Sequence, residues 1–123
     1  MKKNLLFFTE ASQEIGFGHL SRCLALSHKL KKYFNISFYS KNNISKNIPK
    51  LFKTVKFKEA QNKINFDCII IDVKNLNKSN IQLINKLNIQ KKINISDKEN
   101  KKLNALLTII PYENNFRKNT KNQ

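Results

Sequence analysis

Cys68-Ile69-Ile70-Ile71 is an unbroken apolar run closed at each end by an aspartate, Asp67 and Asp72. Four consecutive apolar residues leave a strand no polar face. Such a strand is buried on both sides, as in a parallel sheet covered by helices. Asp72 then falls at the carboxyl end of the strand, the edge at which open α/β sheets hold their ligands.

The remaining segments fit that requirement in order. Asn4 to Thr9 is a short apolar run compatible with a buried strand. A polar, glycine-containing loop follows over 10–18. From His19 to about Phe34, apolar residues at Leu20, Cys23, Leu24, Leu30 and Phe34 keep helical spacing. Lys29, Lys31 and Lys32 sit in the last turns, where cations suit the helix dipole. Ile36 to Tyr39 reads as a second strand. Residues 44–52 predict a short helix interrupted by Pro49, and Thr54-Val55-Lys56-Phe57 alternates like an edge strand. After the Asp67–Asp72 strand, Ile81, Leu83, Ile84 and Leu87 mark a helix over 78–88. Lys92 to Ile95 is another strand, followed by Ser96-Asp97, and Ala105 to Ile110 is a last apolar run. Alternating strands and helices predict an α/β fold: a Rossmann-like parallel sheet with helices on both faces. The expected layout is one domain over 1–112 and a polar, disordered tail over 113–123.

Composition bounds the partners. Of the 24 basic residues, only Arg22 and Arg117 are arginines, and the lysines are scattered through every segment. Base-reading and phosphate-forking sites favour Arg. The formal charge of +16 therefore predicts general attraction to polyanions and no specific nucleic-acid partner. No apolar run approaches the roughly 20 residues of a membrane span. The first apolar run ends at Phe8, too short for a signal-peptide core, so a cytoplasmic protein is expected. Cys23 and Cys68 lack metal-ligand spacing and read as reduced, buried small hydrophobes.

Chemistry concentrates in residues 15–26, Ile-Gly-Phe-Gly-His-Leu-Ser-Arg-Cys-Leu-Ala-Leu. Gly16 and Gly18 permit positive φ and close approach of a ligand to backbone. His19 falls in the first helical turn, where unpaired N–H groups and a partial positive charge suit phosphate. A neutral imidazole there is a competent general base. The plainer reading, on spacing alone, is a histidine that caps a helix after an ordinary strand-to-helix turn. His28, mid-helix among lysines, reads as a solvated surface group.

The longer string Gly16-Phe17-Gly18-His19-x-x-Arg22-x-Leu24-Ala25-Leu26 resembles the UDP-2,4-diacetamido-2,4,6-trideoxy-β-L-altropyranose hydrolases of pseudaminic acid biosynthesis and related spore-coat polysaccharide proteins. A peptidoglycan N-acetylglucosaminyltransferase loop is similar but typically has Pro where this chain has Arg22. The strand before the loop and the strand ending in Asp72 extend the likeness over about residues 4–112. Phe8, Glu10, Val73 and Lys98 depart from it, standing where these hydrolases have Arg, Asp, in some cases His, and a second acidic residue.

The resemblance implies the N-terminal half of a GT-B architecture. It implies hydrolysis of a UDP-linked deoxy-amino sugar at the anomeric carbon, with inversion and without a metal or other cofactor. His19 would activate the attacking water. Gly16, Phe17 and Gly18 would face the diphosphate, Arg22 would orient the loop, approach phosphate or form an internal ion pair, and Asp72 and Asp97 would hydrogen-bond around the site. For Asp72, capping of the following loop is an equal alternative. The partners so implied are a UDP-sugar and a C-terminal GT-B domain, supplied by a separate chain, that holds most of the UDP contacts. Two other readings stand beside it: an acceptor-binding subunit of a split glycosyltransferase, and a degenerate, non-catalytic remnant.

Overall fold

The computed structural model describes residues 2–95 and the short strand Leu107–Thr108. Strand β1 is Lys3–Thr9 and helix α1 is Gly18–Leu30. Strand β2 is Phe34–Tyr39, followed by a single 3-10 turn at Ser45–Asn47 and a two-residue strand β3, Lys53–Thr54. Helix α2 spans Phe57–Asn62, β4 Cys68–Asp72, α3 Lys78–Lys86, β5 Lys91–Asn94 and β6 Leu107–Thr108. All neighbouring strands are parallel, and they form one open sheet in the order β3-β2-β1-β4-β5-β6. This is the doubly wound, Rossmann-like order.

Side-chain alternation divides the core into two layers. Leu5 and Phe7 of β1 pack with Phe38, Ile70 and the α1 residues Leu20 and Cys23 on one face. Leu6 and Phe8 pack with Ile69, Ile71, the α2 residue Ala60 and the α3 residue Ile84 on the other. Leu20 and Cys23 are 2% and 0% exposed, and burial of a leucine of this kind contributes about 2 kcal/mol. The two crossovers explain the layering. From the centre of the sheet, β1-α1-β2 runs one way and β4-α3-β5 the other, and right-handed crossovers in opposite directions put their helices on opposite faces.

Several boundaries differ from those the sequence predicts. Helix α1 stops at Leu30 and a turn closed by Tyr33 N–H to Leu30 C=O reverses the chain, so Phe34 opens β2. Pro49 confines the 44–52 segment to the 3-10 turn. Alternation across 54–57 ends at Thr54, and Phe57 starts α2, because the Glu59 carboxylate accepts from the Lys56 N–H and fixes a helix start. Asp67 precedes β4, and its carboxylate accepts from Asn4 N–H at 2.8 Å, tying the amino ends of β1 and β4. Ser96-Asp97, most of the 105–110 run and the 113–123 tail lie outside the described residues. No helix among the described residues is long and apolar enough to cross a membrane.

Candidate functional site

The reversal of strand order lies between β1 and β4, and there the chemistry-bearing side chains meet. Asp72 closes β4 on the same face as Ile70, toward α1, and stands in register with Thr9 at the end of β1. Both residues are 0% exposed. Across from them, α1 begins at Gly18. His19, Arg22 and Cys23 are spaced i, i+3 and i+4, which puts them on one stripe of the helix.

That stripe converges on one carboxylate. Arg22 donates from Nε to Asp72 Oδ2 and from Nη2 to Oδ1, both at 2.6 Å, a bidentate fork. His19 Nδ1 lies 2.6 Å from the same Oδ1. The Cys23 thiol donates to Oδ2 at 3.8 Å. Four donors thus fill the four acceptor positions of Asp72. A buried carboxylate is tolerable only on these terms, since an unpaired one costs several kcal/mol.

The contact with Asp72 settles the histidine's tautomer. A carboxylate oxygen has no proton to give, so a 2.6 Å approach requires the proton on Nδ1. The 3.4 Å approach of Arg22 Nη2 to Nδ1 is therefore proximity between two donors. In the neutral ring Nε2 carries the lone pair, and it makes no hydrogen bond among the described residues. The His19 side chain is 12% exposed, so the ring is gripped while retaining access to solvent.

The loop before the helix is open at its two glycines. Gly16 has φ +88, a conformation that strains L-residues, and its N–H and C=O both pair with Ser12. A Cβ added at Gly16 or at Gly18 would meet nothing within 4 Å. Phe17 occupies the N-cap position, offers no side-chain cap, and is 45% exposed. The first turn of α1 therefore has no side-chain acceptor at its N-cap.

Of the sequence candidates, Gly16, Phe17, Gly18, His19, Arg22 and Asp72 come together here, and Asp97 lies outside the described residues. Arg22 takes the internal ion pair, and Asp72 faces the helix instead of capping its own loop. Phe8 and Val73 are 1% and 0% exposed and belong to the apolar layer opposite α1. His28 is exposed and rests edge-on against Phe52 at 5.2 Å. The residue that composition under-read is Cys23. It is a core thiol, but it also hydrogen-bonds the site carboxylate, and its i+4 relation to His19 is the signal for that role. Burial, reinforced by the Asp72 charge, pushes its pKa far above the usual thiol range. No group of three His, Cys, Asp or Glu side chains among the described residues is arranged to hold a metal ion.

No protein-family model, curated protein or solved structure matches this chain.

Proposed function

We propose that the chain carries the base-bearing half of a nucleotide-sugar hydrolase acting on a UDP-linked deoxy-amino sugar. The observation that carries this reading is the Asp72–His19 contact at 2.6 Å, which leaves Nε2 as an acceptor without a partner among the described residues, next to a glycine loop with open space at both glycines. In the proposed step, His19 Nε2 accepts a proton from a water molecule as that water attacks the anomeric carbon. The bond between the anomeric carbon and the UDP oxygen breaks, and the electron pair leaves with UDP. Asp72 keeps the imidazole in the required tautomer and steadies the imidazolium as it forms, a division of labour familiar from other carboxylate–histidine pairs. Arg22 acts as a positioning residue by fixing Asp72. The uncapped start of α1 favours the diphosphate as negative charge develops on it. The uridine is held by a second, GT-B-type domain, and the reaction belongs to the cytoplasm, in keeping with two free thiols.

Release of UDP and of free reducing sugar, measured together with the partner domain supplied, tests the reading. His19→Ala lowers turnover by at least about a hundred-fold, the scale of a lost general base. Unchanged turnover removes His19 from the mechanism. Transfer of the sugar to an acceptor, with no free sugar formed, identifies the domain as the acceptor-binding half of a glycosyltransferase.

A further inference from the structure

A second concavity opens on the same carboxyl edge of the sheet, at the ends of β2 and β3. It measures about 520 Å³, within the usual range of small-molecule sites. None of the residues of the 15–26 string lines it. Asn42 holds it against the loop after β1 by donating from Nδ2 to the Ala11 carbonyl at 3.4 Å. Strands lie about 4.8 Å apart, so β2 ends roughly 10 Å from β4 and Asp72, two strand spacings away.

The lining has two characters. Its floor is aromatic: Tyr39 and Phe57 meet with ring centroids 5.9 Å apart and planes inclined at 60°. Its rim is polar, and three of its side-chain acceptors are engaged within the protein. Asn43 Oδ1 accepts from both the N–H and the hydroxyl of Ser45, at 3.2 and 2.7 Å. Ser40 Oγ accepts from the Asn42 N–H, and Glu59 Oε1 from the Lys56 N–H. Donors remain: the ammonium groups of exposed Lys41 and Lys56 and the Asn43 amide N–H groups. Lys41 gives only one of its three N–H bonds to a described partner, the Ser79 hydroxyl at 2.9 Å. Burial raises the Tyr39 phenol pKa, so its hydroxyl also stays a donor.

In dinucleotide-binding relatives of this fold an acidic residue follows the second strand and takes the ribose diol. Here that turn reads Ser40-Lys41-Asn42-Asn43, with no carboxylate. We propose that this cleft binds an anionic pyranose, a sugar phosphate or a sugar acid, with the ring over Tyr39 and Phe57 and the anion at Lys41 and Lys56. Two cations against the single Glu59 carboxylate favour an anion, and donors at the rim with an aromatic floor match an acceptor-rich ring. The site does not depend on the reaction assigned to His19.

The test is titration of the isotope-labelled full chain, followed by amide NMR shifts at physiological ionic strength. The probes are glucose 6-phosphate, glucuronate, glucose and inorganic phosphate. Saturable shifts centred on Ser40, Lys41, Asn43 and Lys56 are expected with glucose 6-phosphate, with glucuronate or with both, and the responding probe identifies the anion. Lys41→Met with Lys56→Met weakens that binding at least ten-fold, the scale of lost charge-assisted hydrogen bonds, whereas His19→Ala leaves it unchanged. Both lysines are exposed. Asn43→Ala gives a second reading of the site, expected to weaken binding several-fold. Saturation by glucose equal to that of the anions overturns the proposal. So does equal binding of inorganic phosphate, or shifts spread over distant lysines such as Lys29 and Lys91 and unmoved by the variants.

Discussion

Asp72→Asn isolates what holds the site together. The substitution keeps the shape of the side chain but removes its charge and turns one acceptor oxygen into a donor. Arg22 then loses one arm of its fork, at Nε or at Nη2, and the guanidinium is left facing an amide. If the amide nitrogen lies toward His19, Nδ1 also loses its acceptor and the ring loses its tautomer control. Removing one member of a buried ion pair costs about 3–5 kcal/mol. Asp72 is fully buried, but the Arg22 side chain is 20% exposed, so water relieves part of the penalty and about 2–3 kcal/mol is expected. That is a large share of a typical 5–15 kcal/mol total, and it lowers the melting temperature by roughly 10 °C. Urea unfolding followed by circular dichroism reads the change directly. A double-mutant cycle with Arg22→Met sharpens it: once the guanidinium is gone, Asp72→Asn should cost less than half as much. A loss below about 0.5 kcal/mol for Asp72→Asn alone, or strict additivity in the cycle, would refute the view that the fork governs the site.

The two glycines should respond in opposite senses. Gly16→Ala forces an L-residue to φ +88 and costs about 1–2 kcal/mol, whereas Gly18→Ala, at a helical position with open space, is neutral or slightly stabilising; denaturation midpoints of the two variants decide it. Under the proposed chemistry Gly18→Ala nevertheless impairs turnover, because its methyl group enters the space in front of the loop. The raised pKa of Cys23 makes a reactivity prediction: at pH 8 iodoacetamide modifies half-buried Cys68 before buried Cys23 in the native chain, as peptide mapping by mass spectrometry would show. The same shift fixes a sign. The unfolded thiol ionises from about pH 9.0 upward while the folded one stays protonated, so the stability Cys23 contributes is complete below that pH and falls as pH rises further. A stability profile that climbs above pH 9 in wild type relative to Cys23→Ser contradicts that linkage.

The parts of the fold that sequence reveals are those in which one local signal dominates. Cys68 to Ile71 admits little but a doubly buried strand, and the structure makes it central, between β1 and β5. The stripe through Leu20 and Cys23 gives α1 its buried face, although the helix stops short of Phe34. Where two signals compete, sequence misleads. Thr54 to Phe57 alternates like a strand, yet Glu59 three residues after Lys56 supplies half of a capping box and the helix wins. Lys56 is not a usual N-cap residue, which hides that signal. The cleft at the ends of β2 and β3 has no sequence signature, since its lining comes from two separate segments brought together by the pairing of β2 with β3.

The site follows a similar rule, with one difference in kind. His19, Arg22 and Cys23 are placed together by helical spacing alone, so their common face is legible in the sequence. What they face is not. Asp72 lies 53 residues beyond His19, and only the sheet order, with β4 set directly beside β1, brings it under α1. The parity of β4 completes the placement: a shift of one residue would turn Asp72 into the opposite layer with Ile69 and Ile71 and leave Arg22 without its carboxylate. The apolar run of β4 thus has two tasks that depend on one register. Ile69 and Ile71 fill the layer under α2 and α3, and Ile70 together with Asp72 turns toward α1. In this chain the burial that fixes the register also fixes the tautomer of His19, which makes the core of the sheet part of the site's electrostatics.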